Sequence, residues 1–375
     1  MTGVSAYLDY NATAPLRREA VEAMVRALGR VGNPSSVHAA GRAARQAVEE
    51  ARLTVAELVG AAMGGVVFTS GGSEANALGL TGWGRRRVIA SAVEHASVLQ
   101  AGPVEMVPVD RNGLVDLAAL ERLLFEGERP AVVAVMLANN ETGVIQPVAE
   151  VAAIAHAHGA LVHCDAVQAV GKLAVDIEAL GVDSLALSAH KMGGPQGVGA
   201  LVLANPEADI LPLVRGGGQE RRRRAGTENL AGIAGFAAVA MLTMEEGEAQ
   251  TRRVRVLRDR LEAEARALAP EVVVLGGGAP RLVNTSCLAL PGLSAQTAVM
   301  ALDLDGVAVS AGAACSSGKV GPSHVLAAMG AGPLAGAAIR VSLGWASSAT
   351  DIDAFLEAYG ALVRRHNDHR AAQVA

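Results

Sequence analysis

Aromatic side chains are scarce in this chain, at 2% of its 375 residues. A large core must therefore be filled by Ala, Val and Leu, and the 51% hydrophobic content supplies them. Cysteine is scarce as well. Cys164, Cys287 and Cys315 form no spaced pair, which argues against a disulfide framework and fits a reducing compartment. There is no basic excess: the formal net charge is -5, whereas nucleic-acid binders carry a surplus of Lys and Arg. Residues 1–10 include Asp9 and lack the basic start and apolar run of a secretory signal. The longest apolar stretch, 230–244, is rich in Ala and Gly and falls short of the roughly 18 residues that a membrane span needs. A buried helix is expected there, in a cytoplasmic protein with neither nucleic acid nor membrane as partner.

Lysine is the most informative scarcity. Of 32 basic residues only Lys172, Lys191 and Lys319 are lysines. Where Arg serves for plain positive charge, a retained Lys points to chemistry that Arg cannot perform: loss of a proton and formation of a Schiff base. Lys191 has the most suggestive setting. It follows an apolar run at 184–187 and precedes Gly193-Gly194-Pro195, and ligands of open α/β sheets bind at such strand ends. A loop lysine without a role fits the same setting. Asp165 ends a run at 161–164 and suits a pyridinium ring nitrogen, which needs a carboxylate beside it; a helix N-cap reads equally well. Thr69-Ser70-Gly71-Gly72-Ser73-Glu74 follows a strand-like run and opens a helix. Its amides suit a phosphate, as they suit an ordinary tight turn.

Strand and helix patterns alternate. Helical spacing occupies 16–30, 39–59, 116–124 and 148–158, and short apolar runs occupy 66–69, 88–92, 104–109, 131–137, 161–164, 184–188 and 198–203. Uninterrupted apolar strands between helices predict a mostly parallel sheet covered on both faces. Beyond about residue 250 a long charged helix ends at Pro270. Short strands at 272–275, 282–290, 307–310 and 338–343 follow, then a helix capped by Thr350 whose tail frays after Arg364. The length exceeds one typical domain. The expected division is a large domain at 16–254, with 1–15 and 255–375 forming a smaller α+β domain that carries Cys315.

Several motifs in order resemble the class V aminotransferase family of pyridoxal-phosphate enzymes, and within it the NifS/IscS-like cysteine desulfurases. They are Tyr7-Leu8-Asp9-Tyr10-Asn11-Ala12-Thr13-Ala14-Pro15, Gly32-Asn33-Pro34-Ser35-Ser36-Val37-His38, residues 68–76, Glu94-His95, Asn139-Asn140-Glu141-Thr142-Gly143 and His163-Cys164-Asp165-Ala166-Val167-Gln168. Residues 188–199, 216–229 and the Cys315 segment complete the set. Tyr10 and Ala14 depart from the Asn and Thr more usual there. The resemblance implies the fold type I architecture, with a seven-stranded, mostly parallel sheet. It implies that Lys191 carries pyridoxal 5'-phosphate, Asp165 pairs with the ring nitrogen, and Gln168 and Asn140 contact the ring oxygen side. Gly72, Ser73, Ser188 and His190 would hold the phosphate, joined by Thr227 from a neighbouring subunit of a homodimer. His95 would stack on the ring as an acid or base, and Arg340, with Asn140, would bind the substrate carboxylate. A satisfied structural histidine and a buried strand arginine are the plainer readings of His95 and Arg340.

Cys315 sits in a small-residue stretch with Lys319 four residues on, which reads as a flexible loop with positive charge near the thiol. Alone it could be inert; the resemblance makes it the sulfur acceptor that becomes a persulfide. Cys164 and Cys287 fall in apolar patterns as ordinary buried thiols. The expected reaction converts L-cysteine to L-alanine and passes sulfur to an acceptor protein such as an iron–sulfur scaffold. A selenocysteine lyase or class V aminotransferase would use the same cofactor residues, and a silent acceptor-binding scaffold would need none of them. The run Arg221 to Arg224 reads as a solvated face or as an active-site lip facing an anionic substrate or acidic partner.

Overall fold

The computed structural model describes residues 5–128, 130–312 and 322–374. Its strands are β1 (Ala6–Tyr7), β2 (Val66–Thr69), β3 (Arg87–Ser91), β4 (Val104–Val107), β5 (Ala131–Ala134), β6 (Leu161–Asp165), β7 (Ser184–Ser188) and β8 (Gly199–Leu203), followed by β9 (Val273–Val274), β10 (Thr285–Ala289), β11 (Val307–Ala308), β12 (Ser310–Ala311) and β13 (Ala338–Ser342). A seven-stranded sheet has the order β2-β8-β7-β6-β5-β3-β4. Only β8 runs against its neighbours. Strands β2, β5, β7 and β8 are buried along their whole length, as expected of a sheet covered on both faces. Helices Arg18–Leu28, Ala39–Leu58 and Val148–Ala157 stand where apolar spacing predicts them.

The two apolar patterns at 230–244 and 254–268 join into one helix, Leu230–Leu268. It is long and apolar enough, by composition, to cross a membrane, yet Ile233, Phe236, Val239 and Ala240 sit in the core of the large sheet. Farther along, Val254, Leu261 and Ala265 pack in a second core with Leu8, Leu288, Val341 and Phe355. The boundary expected at 254/255 thus falls inside a continuous helix whose halves serve different cores. In the second region β12, β13, β10 and β9 form one sheet, and β1 pairs with β11. The single strand expected at 307–310 is split between these two sheets.

The last helix, Ala349–Val374, starts one residue earlier than Thr350. Ser348 caps it: its Oγ accepts from the Asp351 amide at 3.3 Å while Asp351 Oδ2 accepts from the Ser348 amide at 2.7 Å, the reciprocal pattern of a capping box. The fraying expected after Arg364 does not occur, because Arg365 pairs with Asp305 and His366 bonds the Pro291 carbonyl.

Candidate active site

Strands β2, β6 and β7 all point their carboxyl ends at one edge of the large sheet, where ligands of such sheets bind. Their registers set three chemical groups side by side. Thr69 of β2 and Ser188 of β7 both pair with Gly199 of β8, and a Cβ on Gly199 would lie 2.7 Å from the Gly71 backbone. That glycine lets the turn after β2 close over the sheet edge. Helix Gly72–Thr81 starts there, so its first amides face the ends of the neighbouring strands. Strand β6 delivers Asp165, and the short turn Ala189–Lys191 after β7 delivers Lys191.

A cleft opens at this edge, and its walls include Gly72, Ser73, His95, Asn140, Asp165 and Gln168. Ser188, His190, Lys191 and Arg340 complete the predicted set within the same cleft. Thr227 is not among them: it is exposed, in a separate hollow with Arg224, Glu228 and Asn229. Cys315 and Lys319 lie outside the described residues.

Lys191 Nζ donates to the carbonyls of Asn11 and Ala12, at 2.5 and 2.8 Å. Asp165 is 7% exposed. Its Oδ1 accepts from the Val167 amide, so the N-cap-like local bond exists, but Oδ2 accepts from Asn76 Nδ2 at 2.7 Å. Asn76 is the central residue that sequence reading left without a role. Its Nδ2 also reaches Ser97 Oγ, and its Oδ1 meets His163 Nε2 at 3.0 Å. Burial pushes His163 down to about 3, so the ring is neutral; with Asn76 Oδ1 an acceptor, the proton sits on Nε2, and Nδ1 accepts from Ser184 Oγ. A Cβ at Gly79 would come within 2.3 Å of that ring, so the helix needs glycine there. The available signal was one Asn amid Ala and Leu in an apolar helix.

His95 caps the turn Ala96–Leu99 by accepting from the Ser97 amide at Nδ1, which leaves Nε2 as the protonated nitrogen of the neutral ring. Burial lowers its pKa; the Asp165 charge opposes that and Lys191 adds to it. His190 is held down to about 4 by burial, Lys191 and Lys172, and its Nδ1 lies 3.1 Å from Thr13 Oγ1. Arg340 is, as its plainer reading expects, a buried strand arginine paired with a carboxylate. In β13 its Nη2 donates to Asp9 Oδ1 at 2.7 Å and its Nη1 to the Asn140 carbonyl, while its buried Nε meets no partner among the described residues. Arg340 also lines the cleft, where a cationic fork suits a carboxylate ligand. Asp9, a further residue missed in the sequence, also accepts from Ser310 Oγ at 2.8 Å.

The arginine run divides. Arg223 donates to the carbonyls of Gly64, Pro206 and Ala208, and Arg224 pairs with Glu74. Those two hold the chain together. Arg221 and Arg222 are exposed. Cys164 and Cys287 are fully buried and burial pushes both thiols up, Cys287 to about 12. Among the described residues no cluster of metal-ligating side chains occurs.

This arrangement sits in a recognisable family frame. The model of the class V aminotransferases matches residues 6–355. The chain belongs to the class V aminotransferase family. It is 45% identical to a cysteine desulfurase of Cereibacter sphaeroides, with 94% of each chain covered. It is 39% identical to an IscS-like cysteine desulfurase of Mycobacterium tuberculosis, with 96% of each covered. Among solved structures, a NifS-like protein from Rickettsia africae superposes with a TM-score of 0.89 at 34% identity, covering 96% of this chain and 99% of that one. The family member described here thus shares its fold with the NifS-like proteins over nearly its whole length.

Proposed function

We propose that this family member is a cysteine desulfurase that uses pyridoxal 5'-phosphate and converts L-cysteine to L-alanine, leaving the sulfur as a persulfide on Cys315. The observation that carries the reading is one cleft holding Lys191, Asp165, His95 and Arg340 beside a helix N-terminus. The donor set fits the cofactor. The amides at Gly72 and Ser73, with Ser188 and His190, offer a neutral-to-positive cradle for a phosphate. Asp165, held by Asn76 and a backbone amide, faces the same cleft and suits a protonated ring nitrogen. When bound, pyridoxal phosphate supplies an electron sink for the pair left by loss of a Cα proton.

The chain's own groups do the rest. Lys191 Nζ holds the cofactor, then accepts and returns the Cα proton. Arg340 orients the substrate carboxylate. His95, neutral with its proton on Nε2, donates from the cleft wall. The Cys315 thiolate attacks the substrate sulfur: the new S–S bond forms as the C–S bond breaks, and the displaced carbon takes up a proton to complete alanine. Thr227 belongs, in this reading, to the cleft of a second copy in a homodimer, since it does not line its own. The persulfide then serves an acceptor protein such as an iron–sulfur scaffold, in a reducing compartment, the cytoplasm.

The test is a visible spectrum of the purified protein followed by alanine and sulfide assays with cysteine. The wild type is expected to be yellow and to make alanine. Lys191→Ala loses the band unless an amine is added, and Cys315→Ala loses alanine production. A normal band in the first variant, or full alanine production by the second, overturns the proposal.

A further inference from the structure

Lys172 is the one lysine of the described residues that the reaction above does not use. It is half-buried in the segment after β6, and its Nζ makes two hydrogen bonds to a single residue: 2.9 Å to the carbonyl and 2.8 Å to the side-chain Oε1 of Gln168. Gln168 lines the cleft, is 5% exposed, and sends its Nε2 to the Asn11 carbonyl at 2.9 Å. That carbonyl is the one to which Lys191 also donates. The amide of Gln168 is thus gripped from both ends, by an amine on its oxygen and a carbonyl on its nitrogen.

We propose that Lys172 is a positioning residue that fixes the Gln168 amide with its NH₂ turned toward Asn11 and the cofactor side of the cleft. The inference rests on the cofactor reading above. The two oxygens of Gln168 demand two N–H donors from one side chain, and a primary amine supplies both whether charged or neutral. Burial, with the cations Lys191 and Arg340 nearby, pushes Lys172 down to about 7, a range in which both forms occur. A guanidinium would add bulk and a permanent charge to this half-buried site, which accounts for a lysine in a chain that mostly uses arginine. Without Lys172, the Gln168 oxygen becomes a buried acceptor lacking its donor. The amide can then turn over, and its NH₂ would no longer be presented to the side of the cleft where the cofactor's ring oxygen would lie.

A donor at that ring oxygen stabilises its negative charge and eases loss of the proton at the Lys191 nitrogen. Misplacing the donor therefore raises the pH midpoint of the visible band of the holoprotein. Lys172→Met is expected to raise that midpoint by roughly half a unit or more and to weaken cofactor retention in equilibrium dialysis roughly tenfold. Lys172→Gln, which keeps an NH₂ donor group on a shorter, neutral side chain, should give a smaller shift and covers the case in which the Met variant does not fold. Both effects should disappear when the substitutions are made in a Gln168→Ala background, because there is no amide left to position. An unchanged midpoint in Lys172→Met and Lys172→Gln overturns the proposal. So does a shift of equal size in the Gln168→Ala background, which would mark a direct effect of the lysine's charge. A wild type without any visible band would instead refute the cofactor reading itself.

Discussion

Glu94→Gln is expected to remove a steep loss of stability between pH 5 and pH 8. Glu94 is fully buried beside His95. Its Oε1 accepts from Ser91 Oγ at 2.6 Å and from the Met136 amide at 2.7 Å, while its Oε2 meets no partner among the described residues. Burial is the main cause that raises its pKa from 4.5 to about 8; the two donors on Oε1 oppose it and the Asp165 charge adds to it. The folded state therefore holds a proton that the unfolded chain releases above pH 4.5. The stabilisation is complete below the unfolded value, declines by about 1.4 kcal/mol per pH unit, and is gone once the pH passes the folded value. Between pH 5 and pH 8 the wild type should lose about 3 to 4 kcal/mol from this group alone. Gln keeps the carbonyl that Ser91 and Met136 bond and has nothing to titrate. Lys172 and Glu141 titrate near pH 7 as well, but they are common to both proteins and cancel in the difference. Urea unfolding of wild type and variant at each pH unit gives that difference. Two stability curves that stay parallel from pH 5 to pH 8 would refute an ionisable Glu94 sealed in its neutral form.

Arg340→Ala should lower kcat/KM for L-cysteine roughly 10- to 100-fold, mostly through KM, since a charge-assisted bond to the substrate carboxylate is lost; steady-state kinetics with an unchanged KM would remove Arg340 from substrate binding. Gly79→Ala should destabilise the fold by about 1–3 kcal/mol, because the added Cβ meets the His163 ring at 2.3 Å; an unaltered denaturation midpoint would contradict that packing. Glu220→Ala should cost about 3–5 kcal/mol, as it strips the buried Arg52 of a partner at 2.6 Å and the Phe68 amide of its acceptor. That loss is read in the same melts and should shrink when Arg52→Met accompanies it.

Much of this protein was legible along the chain because the features concerned are local or periodic. Apolar runs between helical patterns imply a parallel sheet whatever the order of its strands, and the runs at 66–69 and 184–188 coincide with β2 and β7. The rarity of lysine singled out Lys191, and the motif order carried the family. What only tertiary structure decided depends on contacts between distant segments, which no window of sequence contains. The pairing of Asn76 with Asp165 and His163 spans about ninety residues, and that of Asp9 with Arg340 spans most of the chain. The two apolar patterns after residue 230 carry no signal that they share one helix, because each half is amphipathic toward a different core. Local charge likewise gave no way to separate Arg223 and Arg224, which bond backbone and Glu74, from the exposed Arg221 and Arg222. A polar side chain's role is set by the partner that folding brings to it, and the partner here comes from another strand or helix.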